Sequence, residues 1–114
     1  MASLNKVFLI GRLGVDPDFK TTPNWDIPVC HFTIATNEYF KDKNKGQDRE
    51  ETQWHNIIAW GNLAEVCHQN LKKGSLVHIE GKLKTSSWED KESKKKHYKT
   101  EIEIINIQFL ERRT

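Results

Sequence analysis

The sequence predicts an all-β domain with one helix, folded as a small, partly open five-stranded Greek-key barrel. Three observations predict it: five strand-like segments, one amphipathic helical stretch between the third and fourth of them, and glycines at 11 and 81 inside strand-like runs. A chain of 114 residues can bury one modest core and not two, so residues 1–114 are read as a single domain.

The elements follow in order. Residues 4–13, LNKVFLIGRL, are rich in β-branched and aromatic types. Residues 14–28, GVDPDFKTTPNWDIP, carry three prolines with Asp, Asn and Thr, and are expected to form a long loop. In 29–37, VCHFTIATN, Cys30, Phe32 and Ile34 alternate with His31, Thr33 and Ala35, the signature of a strand covered on one face. Residues 41–53, KDKNKGQDREETQ, read as a polar, mobile hairpin loop. The next strand holds TQWHNIIAW: His55, Ile57 and Ala59 suit a core, which leaves Trp54, Asn56, Ile58 and Trp60 on the opposite face.

Residues 61–74, GNLAEVCHQNLKKG, place Leu63, Val66, Cys67 and Leu71 on one helical stripe, with two lysines in the expected last turn and Gly74 as a stop. The fourth strand, 75–88, sets Val77, Ile79 and Leu83 against His78, Glu80, Lys82, Lys84 and Trp88. In 97–110, Ile102 and Ile104 fall out of phase with Ile105, Ile107 and Phe109, and a bulge near 104–105 reconciles them. Glycines 11 and 81 suit bends at barrel corners. Three strands, a helix and two strands is the order of the OB-fold.

Composition narrows the function. No apolar run reaches the length of a membrane span and MASLNKV has no signal-peptide character, so a cytosolic protein without a membrane partner is expected. Cys30 and Cys67 are too few for a disulfide framework, and no ligand pair stands beside Cys67–His68 at metal spacing. No phosphate-cradling glycine loop, nucleophile motif or carboxylate cluster is present, so neither an enzyme nor a cofactor is expected. The net charge of +2 is too small to diagnose a nucleic-acid binder, so the distribution must carry the argument.

Trp88 shares its parity with Lys82 and Lys84, and thus repeats the outward placement of Trp54 and Trp60. Flat rings beside ammonium groups suit single-stranded nucleic acid, because each base offers a stackable face and each linkage a negative charge. A second reading buries these rings against another subunit, and Ile58 between two of them favours it for part of that strand. Phe40, by parity, falls with the core residues Phe32 and Ile34. Trp25, in PNWDIP, has two open readings, a base-stacking ring or a cap on the barrel.

Stretches MASLNKVFLIGRLGVDP, FTIATNE, TQWHNIIAWGNLAEVCHQNLKKGSLVHIEGKLKTSSWED and IEIINIQFL resemble the bacterial single-stranded DNA-binding protein (SSB) family over essentially the whole chain. The resemblance implies a homotetramer of OB domains that binds single-stranded DNA in replication, recombination and repair. It assigns stacking to Phe40, Trp54, Trp60 and Trp88, against the parity of Phe40. Phosphate-contacting positions of the family match Lys43, Lys73 and Lys84, and Lys6, Lys20, Lys72 and Lys82 are further candidates. His55 is implied to lie near a subunit interface. Asn56, Asn62, Ser86 and Ser87 stand where basic residues are frequent in the family, and Trp25 where a glycine is common. Family members usually continue into an acidic tail that recruits replication and repair proteins; this chain ends at LERRT, so that recruitment is expected only if a tail exists in the native protein. The alternative within the same fold is a tailless primosomal replication protein.

Overall fold

Pairing the strand of Cys30, Phe32 and Ile34 antiparallel to that of Ile57 and Ala59 brings both apolar sets to one side, with Phe32 opposite Ile57 and Cys30 opposite Ala59. The computed structural model describes residues 2–42 and 46–111 and builds a barrel around that pair. In chain order the elements are β1 (Val7–Leu13), β2 (Asp18–Thr21), β3 (Pro28–Asp42), β4 (Gln47–Trp60), α1 (Asn62–Asn70), β5 (Leu76–Glu89) and β6 (Lys96–Phe109). The sheet order is β1-β5-β6-β4-β3-β2, and a further pairing of β1 with β3 closes the ring. Without β2 this is the five-stranded OB barrel with its helix between the third and fourth barrel strands. The ring is closed rather than partly open, although its β1–β3 and parallel β4–β6 seams each pair over only two residues.

The barrel is filled by Leu13, Phe32, Ile34, Ile57, Val77, Ile79, Ile102 and Ile104, while Ala64 and Cys67 of α1, with Leu71 at its C-cap, close one end. Each fully buried aliphatic side chain contributes ~1.5–3 kcal/mol by leaving water, so these few positions hold the domain together. Both cysteines lie in this core, where burial raises the thiol pKa to about 11 for Cys30 and about 12 for Cys67. They act there as small apolar residues.

Several expectations are corrected. The stretch 14–28 contains β2, whose pairing with β3 is a four-residue ladder too short to leave a pattern in sequence. Most of 41–53 is strand: β3 and β4 extend beyond the barrel as a paired ribbon, with Glu38 opposite Glu51 and Phe40 opposite Arg49. Backbone pairing needs no apolar face, so a ladder solvated on both sides shows no hydrophobic alternation. The first strand begins at Val7 rather than at residue 4. In α1 the buried stripe is Ala64 and Cys67, with Leu71 just beyond; Val66 is exposed. Lys72 and Lys73 lie past the helix, which ends when Leu71 turns extended.

The bulge falls where the phase change placed it. Glu80 pairs with Asn106 and Gly81 with Ile104, leaving Ile105 as the extra, exposed residue. Glycines 11 and 81 mark close approaches. A Cβ on Gly81 would stand 2.8 Å from Ile102 Cγ2, and one on Gly11 would meet the backbone of Ala35 across the β1–β3 seam.

Candidate nucleic-acid interface

Strand alternation turns Trp54, Asn56, Ile58 and Trp60 away from the barrel interior, and the registers of the neighbouring strands arrange their surroundings in rows. Lys20 pairs with Val29 and Val29 with Trp60, so the three share one face and one row. The next row runs Asp18, His31, Ile58, Glu103 and Lys82. Further along, Thr33 stands opposite Asn56, and Ala35 opposite Trp54. Six residues at ~3.3 Å each separate Trp54 from Trp60 by about 20 Å along the strand.

Trp54 is 59% exposed, yet its ring is not free to wander. It lies on Gly14: a Cβ there would fall 2.7 Å from Trp54 Cη2 and closer still to Cζ3. The glycine is pinned at the end of β1 by its N–H, which donates to the Thr33 carbonyl at 3.3 Å. The loop continues to Asp16, whose carboxylate accepts the Lys73 backbone N–H at 2.8 Å. The turn carrying Lys72 and Lys73 is therefore joined to the loop on which Trp54 rests. Nothing in the residue pattern singled out Gly14, because the contact exists only once β1 and β4 are brought together.

Ile58, read as outward and available to a partner, is 7% exposed. Its parity is outward, but His31 on β3 reaches across β4 to Glu101 on β6, Nε2 to Oε2 at 3.4 Å, and Lys99 approaches the same oxygen at 3.7 Å. That oxygen is buried and accepts no hydrogen bond among the described residues. In its own row Ile58 is flanked by His31 and Glu103, and both of these side chains are held in ion pairs. His31, Lys99 and Glu101, with Asp16, Asp18, Lys20 and Asn56, line an open groove of about 320 Å³. Its lining mixes cations (Lys20, Lys99) with carboxylates (Asp16, Asp18, Glu101). His31 was legible as an outward residue; its partner seventy residues on was not.

Trp88 lies on the part of β5 that extends beyond the barrel, opposite His97, and the two rings stack at 5.6 Å with 23° between their planes. Phe40 keeps the parity of Phe32 and Ile34, as read from sequence, but is 41% exposed and lies on the ribbon face opposite that of Trp54. It is not core, because at that point of β3 the barrel has ended. Trp25 caps nothing: it is 78% exposed at the tip of the β2–β3 hairpin.

The basic candidates divide by their partners. Lys6 pairs with Glu80 at 3.3 Å, Lys82 with Glu103 at 3.3 Å and Lys20 with Asp18 at 3.8 Å. Lys72, Lys73 and Lys84 are exposed and make no ion pair among the described residues. Lys43 lies outside the described residues. His55 faces inward, half-buried, with Nε2 2.8 Å from Thr36 Oγ1.

A closed five-stranded barrel that turns tryptophans outward among lysines defines a class, the OB-fold modules built to meet single-stranded nucleic acid. Within it, the chain belongs to the single-strand binding protein family, whose model matches residues 4–110. It is 50% identical over 107 residues to single-stranded DNA-binding protein 1 of Chlorobaculum tepidum, covering 94% of this chain and 65% of that one. With single-stranded DNA-binding protein 1 of Xylella fastidiosa the identity is 44% over 110 residues, 96% of this chain and 79% of the relative. Among solved structures, the Plasmodium falciparum SSB complex with ssDNA superposes with TM-score 0.86 at 34% identity, covering 97% of this chain and 98% of that one. A deletion mutant of the Thermus aquaticus single-stranded DNA binding protein gives TM-score 0.79 at 34% identity, covering 95% of this chain and 51% of that one. The chain thus spans about two thirds of the first relative and half of the Thermus chain. None of these names favours the primosomal alternative.

Proposed function

We propose that the protein binds and protects single-stranded DNA, without catalysis and with little sequence preference, in replication, recombination and repair. The observation that carries this reading is the exposed Trp54, held on Gly14 on the face of β4 whose reverse is core. A ring fixed in that way has lost its freedom before any base arrives, so stacking costs little further ordering. Trp60, Trp88 and Phe40 serve as additional stacking rings. Lys72, Lys73 and Lys84 contact phosphates directly, and Lys6, Lys20 and Lys82 do so by exchanging a carboxylate partner. Lys43 belongs to the same proposed set.

The working form is a homo-oligomer, a tetramer on the family resemblance. Phe8 and Ile10, exposed side by side on the outer parity of β1, support an interface there, and His55 is the further assembly residue. No helix among the described residues is long and apolar enough to cross a membrane. DNA binding in replication and repair would place the protein with the nucleoid in the cytoplasm.

The test is the anisotropy of dye-labelled oligo(dT) and of a labelled duplex, titrated at several salt concentrations. Tight binding to oligo(dT) and weak binding to duplex are expected, with log K falling by ~0.7 per log salt for each phosphate neutralised. Equal affinity for duplex, or no dependence on salt, would contradict the reading.

A further inference from the structure

We propose that Trp25 is a further base-stacking site, which carries the path of single-stranded DNA past Trp60 onto the tip of the β2–β3 hairpin. The proposal rests on the function proposed above. Trp25 covers no core and is the most exposed of the four tryptophans, at 78%. One exposed ring is common on a protein surface and is no argument by itself; the order of the turn that carries Trp25 and its place beside the Trp60 row carry the proposal.

The tip that carries it is ordered by its own bonds. The Thr22 N–H donates to the Ile27 carbonyl at 2.9 Å, the Asp26 N–H to the Thr22 carbonyl at 3.0 Å, and the Ile27 N–H to Thr22 Oγ1 at 3.1 Å. Asp26 takes the left-handed conformation that closes the turn, at φ 55°. Pro23 and Pro28 stiffen either side.

Position gives the direction. The hairpin stem places Lys20 and Val29 in one row with Trp60, and the Gly61 N–H donates to the Pro28 carbonyl at 2.9 Å. The tip is therefore continuous with the Trp60 end of the outward face. Trp25 stands four residues before Val29, so at ~3.3–3.6 Å per residue its Cα lies no more than about 14 Å from that row. A strand stacked on Trp60 and held by Lys20 has the hairpin tip as its next surface.

The deciding experiment uses the variant Trp54→Phe, Trp60→Phe, Trp88→Phe, which keeps a stacking ring at each of those sites and leaves Trp25 as the only tryptophan. Oligo(dT) binding is followed by the anisotropy of a labelled strand and, in parallel, by Trp25 emission. Quenching of Trp25 with the same midpoint as the anisotropy change supports the site. Binding by anisotropy with unchanged Trp25 emission overturns it while leaving the proposed function intact. Should the triple variant fail to fold or to bind, Trp25→Ala in the otherwise unaltered chain decides. A fall in oligo(dT) affinity of roughly fivefold or more, largely restored by Trp25→Phe, is expected for a stack; a change under about twofold overturns the site. Absence of any oligo(dT) binding by the unaltered chain would instead overturn the functional reading on which the site depends.

Discussion

The β3–β4 ladder is one continuous ribbon with two fates. Inside the barrel, Ile34 is fully buried; six residues on, at the same parity, Phe40 is 41% exposed. The alternation is unbroken between them, and His55 opposite Ile34 becomes Arg49 opposite Phe40. What changes is the layer beneath. Under Ile34 lie β1 and the remaining barrel wall, whereas the ribbon beyond the barrel has solvent on both faces. Parity therefore fixes the face a side chain takes, and the presence of a second layer fixes whether that face is buried. An aromatic residue can be in core phase and still be available to a ligand.

Paired substitutions break or sharpen this contrast. The largest effect is expected in the barrel. Ile57→Ala should lower unfolding stability by ~2–5 kcal/mol through a cavity that the closed barrel cannot collapse. Phe40→Ala should move stability by only ~0.5 kcal/mol, as exposed substitutions do, while weakening oligo(dT) binding by ~1–3 kcal/mol. Denaturant titration and anisotropy read the two halves; a large stability loss at Phe40 would mean that the ribbon has a covering layer after all.

Next come changes at Trp54. Trp54→Ala should lose the ~1–3 kcal/mol of one stack with stability nearly unchanged. Gly14→Ala leaves the indole present but removes its seat, since the new methyl would fall within 2.7 Å of the ring. It should weaken binding by a fraction of the Trp54→Ala loss. Unchanged affinity in Gly14→Ala would show that the ring binds equally well from another position.

Smaller again is the difference between lysines on β5. Lys84→Ala should reduce the slope of log affinity against log salt by ~0.7, the share of one phosphate on a single strand. Lys82→Ala should reduce it less, because that ammonium already faces Glu103 at 3.3 Å. Equal slopes would mean the pair opens freely.

A separate effect, confined to alkaline pH, concerns the core thiols. Ordinary values of 9.0 are raised by burial to about 11 for Cys30 and about 12 for Cys67, with Asp18 adding to the first and Cys30 to the second. The folded state holds these protons longer than the unfolded chain. Their contribution to stability is thus complete below pH 9.0 and is lost as the pH rises through about 11 to 12. Melting temperature against pH in the Cys30→Ala, Cys67→Ala double variant should show a shallower alkaline decline than in the unaltered chain.

The same contrast explains what could be read from residues alone. The barrel was legible because each wall strand alternates against a shared core, and even the misfit of Ile104 and Ile105 located the bulge. The outward faces of Trp54, Trp60 and Trp88 followed from the same period. β2 was not legible, since DFKT is made a strand by β3 rather than by its own pattern. Nor was the ribbon beyond the barrel, whose ladder leaves no apolar trace. Gly14 under Trp54, and the His31–Glu101 pair across β4, join distant parts of the chain, and no local pattern encodes such meetings.

The most direct test of the central claim, that the outward rings are there to stack on bases, is intrinsic tryptophan fluorescence during titration with oligo(dT). Strong quenching that saturates with binding, weakens at high salt and is absent with duplex DNA is the predicted result. Binding of oligo(dT) established by anisotropy, with tryptophan emission unmoved, would contradict it: the rings would then be packed against protein, and the lysines alone would hold the strand.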